Sequence, residues 1–300
     1  MDNPLLLQAI RADPRDDLAR LAYADWLEEN GDPERGELIR LQIALRESGR
    51  SRGETVELLR RLRTLLIAHQ QRWLGPLAWA APDSLFDRGF VHKVRVRAAD
   101  LLRCGDELLA MHPIVHLTVA DVSNEIWHLT ETPLLADVPE VELQLKALPP
   151  DAALALAGSP YLGRITVLDM RRSGVGPDAL AAVAASTALT ALHTWLLGEN
   201  GLTDVTIAAL VRALRLPHLE RLDLSHNGIS DAGAARIAEA APLRRLKALL
   251  LRGNQISRDG IARLAGSPLF ATMTLLDVSG NIPWRQANGL RSRYGPRLVV

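Results

Sequence analysis

One stretch of sequence decides the fold: Leu219-Glu220-Arg221-Leu222-Asp223-Leu224-Ser225-His226-Asn227-Gly228-Ile229. Its leucines alternate with polar residues, as in a β-strand that buries one face, and an asparagine follows in the turn. The same residue types recur every 27 residues, in six consecutive frames that begin at Val138, Ile165, Leu192, Leu219, Leu246 and Met273. A fixed period of this length is typical of a solenoid, in which each repeat stacks on the next.

The spacing of these residues, L-x-x-L-x-L-x-x-N-x-I over 219–229, resembles the leucine-rich-repeat signature. A 27-residue unit with a strand, a turn and an alanine-rich helix resembles the ribonuclease-inhibitor subtype of that repeat. The resemblance implies an α/β solenoid. We therefore expect a leucine-rich-repeat arc with a parallel sheet on its concave side and helices outside.

Two less regular frames precede the six, and they begin at Val91 and Ile114, 23 and 24 residues before their successors. Counting them gives about eight strand–helix repeats, with helices such as Asp204 to Leu214 between the strands. After Trp284 we expect a helix over 286–294 and then a short apolar end at 298–300. These last elements would form a C-terminal cap, because an uncovered repeat exposes its apolar face to water.

The first 80 residues lack the repeat and predict a small all-α domain of four helices. Asp16 or Asp17 is suited to cap the second helix, which would end at Asn30-Gly31. Asp32 is suited to cap the third helix, with Pro33 in the first helical position, and a linker over 50–53 would precede the fourth. The predicted domains are thus residues 1–80 and 81–300.

The first domain resembles the repeat-companion domain, a helical module at the N-terminus of bacterial proteins that often precedes repeats. The resemblance rests on the run Tyr23-Ala24-Asp25-Trp26-Leu27-Glu28-Glu29, followed by Gly31-Asp32-Pro33-Glu34-Arg35. It covers residues 4 to 48. That family has no established biochemical activity, so the resemblance implies an architecture and no mechanism.

Composition argues against several classes of protein. Lys plus Arg and Asp plus Glu are both 35, and a protein that neutralises phosphates usually has a basic excess, so nucleic acid is an unlikely partner. The single cysteine, Cys104, excludes an intramolecular disulfide. The start lacks a basic segment and a long apolar run, and no run reaches the roughly 18 apolar residues of a membrane span. We expect a cytoplasmic protein with no membrane segment.

Strand alternation assigns one set of side chains to the concave face, where they would meet a protein partner. Several leucines in this set are apolar residues facing water, which indicates a protein contact. The alternative is that the cap or the helical domain covers them as core. The candidate partner-binding residues are Arg95, Arg97, Glu140, Glu142, Asp169, Arg171, Leu196, Arg221, Asp223, Leu250, Arg252 and Leu275.

The asparagines of the repeat turns have a structural interpretation. An amide both donates and accepts, so Asn200, Asn227, Asn254 and Asn281 can bond backbone groups that would otherwise be buried and unpaired. Ser173 and Lys146 occupy the same slot in earlier repeats. We therefore expect the series to weaken toward the N-terminal side.

Motifs for catalysis, cofactors and metals are sparse. Cys104 lies near His112 and His116 in sequence, and a thiol–imidazole pair is conceivable, but a small buried side chain is the favoured role for the cysteine. The histidines lack ligand spacing on one helix, and no phosphate-binding glycine loop follows a strand. We assign no catalytic, cofactor-binding or metal-binding residue.

Two functions from different classes follow. The favoured one is a non-enzymatic adaptor, scaffold or inhibitor that binds an unidentified protein on the concave face. The alternative is a regulatory module that contacts nucleic acid through basic N-terminal helices, with Arg60, Arg61 and Arg63 as the phosphate contacts.

Overall fold

The computed structural model of the chain describes residues 3–14, 16–82, 84–146, 148 and 151–300. By packing, the chain divides into two compact units, Met1–Thr118 and Val119–Val300. The predicted domain limits of 1–80 and 81–300 stay a prediction.

The first unit is mainly helical, and its helices begin at the predicted caps. Asp16 accepts a hydrogen bond from the backbone of Leu18 at 2.8 Å, and Asp32 accepts one from Arg35 at 3.3 Å. The elements are α1 Pro4–Ala12, α2 Asp17–Glu29, α3 Pro33–Ala44, α4 Arg52–Leu74, α5 Leu77–Ala80, β1 Phe86–Asp87, β2 Phe90–Val91, β3 Lys93–Arg97 and α6 Ala98–Met111.

Two features of this unit differ from the prediction. Helix α4 begins inside the predicted linker, because Ser51 and Glu54 form a reciprocal capping box at its start. Strands β1 and β2 form an antiparallel hairpin that the repeat pattern did not predict. Arg88 and Gly89 have φ angles of 49° and 81°, which is the backbone of a tight hairpin turn.

The second unit alternates strands and helices as a solenoid does. Its strands are β4 His116–Val122, which crosses the boundary between the units, β5 Glu140–Leu145, β6 Ile165–Asp169, β7 Thr194–Leu196, β8 Arg221–Asp223, β9 Ala248–Leu250, β10 Leu275–Asp277 and β11 Leu298–Val299. The helices are α7 Ile126–Glu131, α8 Ala152–Gly158, α9 Pro177–Ala184, α10 Asp204–Ala213, α11 Asp231–Ala238, α12 Arg258–Ala265, α13 Pro268–Thr272, α14 Trp284–Ala287 and α15 Leu290–Tyr294. Short 3-10 turns lie at Pro133–Leu135 and Ala241–Leu243.

From β5 to β11 the strands lie side by side in chain order, which confirms the α/β solenoid. The pairs from β6 to β10 keep the predicted register of 27 residues: Leu222 pairs with Trp195 on one side and with Leu249 on the other. The C-terminal cap contributes β11, parallel to β10. The single helix predicted over 286–294 is instead α14 and α15, separated near Gly289, which has a φ of 83°.

The predicted register between β5 and β6 is wrong by two residues. Glu142 pairs with Val167, and Gln144 pairs with Asp169, whereas the 27-residue frame placed Glu142 opposite Asp169. The register shifts at this pair, which leaves Thr166 as an extra residue in β6. Lys146 occupies the asparagine slot here, and an ammonium group only donates, so no side-chain amide enforces the period.

Candidate functional site

Alternate residues of the strands point to opposite sides of the sheet in the second unit. Leu168, Trp195 and Leu222 are fully buried under the helices, as are their counterparts in β9 and β10. The side chains between them point to the other side, which we call the strand face. It comprises Val167, Asp169, Thr194, Leu196, Arg221, Asp223, Ala248, Leu250, Leu275 and Asp277.

Carboxylates and leucines alternate along the middle of the strand face. The register pairs them in the order Asp169, Leu196, Asp223, Leu250, Asp277, which we call the central row. Neighbouring strands lie about 4.8 Å apart, so residues two strands apart along this row are separated by roughly 10 Å. The row therefore presents apolar and acidic groups in a regular alternation.

Each acid of the central row is held by the chain that follows it. Asp169 accepts hydrogen bonds from the backbone N–H of Arg171 at 3.0 Å and from its Nε at 2.9 Å. Asp223 accepts the N–H of Ser225 at 2.9 Å, and Asp277 accepts the N–H of Ser279 at 3.0 Å. The carboxylates are thus oriented in advance of any binding. The hydrogen bond to Asp169 also raises the pKa of Arg171 above its ordinary value.

The leucines of the strand face keep part of their surface in solvent. Leu196, Leu250 and Leu275 are all half-buried, in contrast to the fully buried leucines on the opposite side of the same strands. They are therefore partly exposed surface residues, and the alternative that they belong to the core is not supported.

The basic candidates of the strand face differ in their partners. Arg171 is exposed and pairs with Asp169 at 2.6 Å. Arg221 is half-buried and Arg252 is exposed, and neither forms an ion pair within the described part of the chain. These two guanidinium groups retain all of their side-chain donors for a partner.

The remaining candidates lie at the start of the repeats. Glu140 is exposed on β5, and Glu142 is half-buried and accepts a hydrogen bond from Gln144 at 2.7 Å. Arg95 and Arg97 lie on β3 in the first unit, where both are exposed and Arg97 pairs with Asp100 at 2.7 Å. Asp277 belongs to the central row although it was not among the predicted residues. Its position in the 27-residue frame, two slots before Ser279, is the signal that identifies it.

The turn asparagines form a ladder along the edge of the sheet, as predicted. Asn254 donates to the carbonyl oxygens of Leu224 at 3.0 Å and Leu251 at 2.9 Å, and accepts the N–H of Ile229 at 3.1 Å. Asn200, Asn227 and Asn281 bond in the same way. Each asparagine therefore connects its own repeat to the one before, and its role is structural.

Acids pair with most of the basic residues of the N-terminal helices. Arg61 makes two hydrogen bonds of 2.6 Å to Glu37, and Arg60 pairs with Glu57 at 2.5 Å. Arg40, Arg46, Arg50 and Arg72 also pair with carboxylates. Because phosphate binding depends on unpaired positive charge, these ion pairs disfavour the nucleic-acid alternative.

Cys104 is buried, and its thiol donates to the carbonyl oxygen of Asp100 at 3.1 Å, which confirms the predicted packing role. Burial, followed by the charge of Asp100, raises the pKa of this thiol and disfavours the reactive thiolate. Among the described residues, no three His, Cys, Asp or Glu side chains are placed to hold a metal ion. No helix in the described part of the chain is long and apolar enough to cross a bilayer.

Comparisons with known proteins bear on the repeat. A family model described as Leucine Rich repeat matches residues 215–238. No curated protein matches the chain. Among solved structures, an internalin (inlF) from Listeria monocytogenes str. 4b F2365 is 16% identical over 66% of this chain and 56% of its own, with a TM-score of 0.35. The TLR13–ssRNA13 complex is 14% identical over 67% of this chain and 30% of its own, with a TM-score of 0.36.

The chain thus spans less than two thirds of either matched structure, at 56% and 30% of their lengths. At these TM-scores neither structure bears on what the chain binds. The family match lies on the stretch that contains β8 and its asparagine, and the flanking strands repeat it in register. Together these findings support a leucine-rich-repeat protein.

Proposed function

We propose that the chain is a non-enzymatic protein-binding module, an adaptor, scaffold or inhibitor, that holds a protein partner on the strand face. The observation that carries the proposal is the central row, in which half-buried leucines alternate with oriented carboxylates. Apolar side chains grouped on one exposed surface favour a protein contact.

The chemistry of the strand face suits a partner with apolar anchors and basic groups. Leu196 and Leu250 offer apolar surface, and Asp223 lies between them with its carboxylate held by Ser225. A carboxylate that is already oriented loses little conformational freedom when it binds a cation. Arg221 beside this row adds a donor for a carboxylate or carbonyl of the partner.

The test is affinity capture from a lysate of the source cell, with wild type compared to the Leu196→Asp, Leu250→Asp double variant. The matched control is the Leu154→Asp, Val205→Asp double variant, because these apolar residues are 67% and 79% exposed and lie on helices α8 and α10. We expect a partner that wild type and control retain and the strand-face variant loses. A partner retained equally by all three proteins contradicts the proposal.

We infer further that the repeats are of the ribonuclease-inhibitor subtype and that the first unit is a repeat-companion domain of a bacterial cytoplasmic protein. The 27-residue register supports the first inference, and the capped helices α2 and α3 over the quoted run support the second. Fractionation of the source cell tests the location. Recovery of the protein outside the cytoplasmic fraction would contradict it.

A further inference from the structure

A cavity of about 520 Å³ lies beside the strand starts of the second unit, away from the central row. It opens where the chain enters β6, β7 and β8, and it has both polar and apolar walls. Its lining residues are Ala136, Pro160, Tyr161, Gly163, Arg164, Thr190, Ala191, His193 and His218.

The cavity exists because one repeat has a small residue in a slot where its neighbours have large ones. The 27-residue period places Arg164, Ala191, His218 and Arg245 in equivalent positions of four successive repeats. The methyl group of Ala191 fills far less space than the side chains on either side of it. A gap is therefore left between the guanidinium of Arg164 and the imidazole of His218.

The polar groups around this gap are cationic or neutral donors. None of the described lining residues is acidic. Arg164 is exposed and forms no ion pair within the described chain. The rings of His193 and His218 lie 6.1 Å apart, and neither makes a hydrogen bond to another described residue. The three side chains thus keep their hydrogen-bonding groups available.

The neighbouring acid is already paired with a base. Glu220 follows His218 by two residues and forms an ion pair with Lys247 at 2.6 Å. That ion pair lowers the pKa of the Glu220 carboxyl. With this carboxylate partnered, the charge at the mouth of the cavity stays positive.

We propose that this cavity binds a small ligand that carries an oxyanion, a phosphate or a carboxylate, on a flat apolar body. Arg164 binds the oxyanion through paired N–H groups, a geometry that suits both anions, and the two imidazoles bind it from the other side. Tyr161 and Pro160 form the apolar wall for the body of the ligand. Metal binding is less suited, since the cavity offers only two imidazoles as ligands.

The test titrates the full chain with phenyl phosphate, benzoate and inorganic phosphate, and follows the imidazole resonances of His193 and His218 by NMR. We expect saturable binding, with both histidines shifted and the aromatic ligands bound more tightly than inorganic phosphate. Tighter binding of phenyl phosphate than of benzoate identifies the anion as a phosphate, and the reverse identifies a carboxylate.

Three variants connect the binding to the cavity. Arg164→Ala should weaken binding about tenfold or more, and Ala191→Leu should block it by filling the gap. Arg245→Ala is the matched control, because it removes an exposed arginine from the same slot outside the cavity and should leave binding unchanged. No binding tighter than about 1 mM for any of the three probes would overturn the proposal. Equal losses in Arg164→Ala and Arg245→Ala would also overturn it, because they would reflect general electrostatics.

Discussion

Asn227 accepts the backbone N–H of Asn200 on its side-chain oxygen at 3.0 Å, across the boundary between two repeats. The same oxygen accepts the N–H of Leu202 at 3.0 Å, and the amide nitrogen donates to the carbonyl oxygens of Leu197 and Leu224. One buried side chain therefore satisfies polar backbone groups on two repeats at once.

Replacing Asn227 with alanine should destabilise the second unit by about 2–4 kcal/mol, because buried backbone donors and acceptors lose their partner. Urea unfolding of the full chain measures the loss. Asn124→Ala is the control, since Asn124 is exposed, and it should change stability by less than about 0.5 kcal/mol. If both variants unfold at the same urea concentration as wild type, the ladder does not stabilise the unit.

A second prediction concerns Gly233 in helix α11, where alanine should destabilise although helix propensity favours it. A Cβ at this position would lie 2.7 Å from the Ile229 side chain and would also meet the carboxylate of Asp204. That carboxylate accepts hydrogen bonds from the hydroxyl of Ser230 at 2.5 Å and from the N–H of Gly233 at 2.9 Å. We expect Gly233→Ala to cost about 1–3 kcal/mol in thermal or urea unfolding.

The control for this prediction is Gly158 in helix α8, which has no atom within 4 Å of the position of an added Cβ. Gly158→Ala should be neutral or stabilise by up to about 1 kcal/mol. Stabilisation of both variants to the same extent would show that the contact with Asp204 is relieved without cost.

A third prediction concerns Asp32, which has three partners in the first unit. Its carboxylate caps α3, pairs with Arg72, and accepts the indole N–H of Trp73 at 3.2 Å. Trp73 is 1% exposed, so Asp32→Ala leaves a buried donor unpaired in addition to removing the cap. We expect a loss of about 2–4 kcal/mol in urea unfolding.

Asp16→Ala is the matched comparison, because Asp16 caps α2 through a hydrogen bond of 2.8 Å to Leu18. It should cost about 1 kcal/mol. A loss no greater for Asp32→Ala than for Asp16→Ala would mean that the indole contact contributes nothing.

A fourth prediction concerns pH and His92, which lies in the first unit. Burial, followed by the positive charge of Arg20, lowers the pKa of His92 from its ordinary value. The unfolded chain therefore binds a proton at higher pH than the folded chain does, and stability rises with pH in this window. The contribution is present above about pH 6.5 and is lost as the pH falls through the lowered pKa of the folded state.

Unfolding followed between pH 7.5 and 5 should show that His92→Gln loses less stability on acidification than wild type. His128→Gln, a change at an exposed histidine of the second unit, should retain the pH dependence of wild type. Identical pH profiles for wild type and His92→Gln would exclude His92 as the source.

The periodic part of the fold was predictable because one physical constraint acts at every repeat. Leu222 and Leu249 must be buried on the same side of the sheet, and the asparagine that follows each strand fixes the turn. The prediction was wrong where that constraint is absent: Lys146 cannot accept a backbone N–H, and the register at β5 shifts. The β1–β2 hairpin depends on the left-handed backbone of Arg88, a residue type that rarely adopts it.

The candidate sites were predictable to different degrees. Strand alternation alone identified Leu196 and Leu250, since the side of a sheet follows from residue parity. The orientation of Asp223 by Ser225 could not be read from sequence, because it depends on the backbone after the strand. The cavity at Ala191 was missed because its signal is a small residue in a slot that carries no conserved pattern within the chain.

The asparagine ladder has a direction. Asn281 accepts the N–H of Ile256, and Asn254 accepts the N–H of Ile229, so each repeat depends on the asparagine of the repeat that follows it. Cleavage or loss of the repeat that contains Asn281 would leave the N–H of Ile256 without its acceptor, and the repeat of Asn254 would loosen next. Loss of an earlier repeat removes only one carbonyl partner from each later amide. Unzipping of the solenoid should therefore travel toward the N-terminus more readily than away from it.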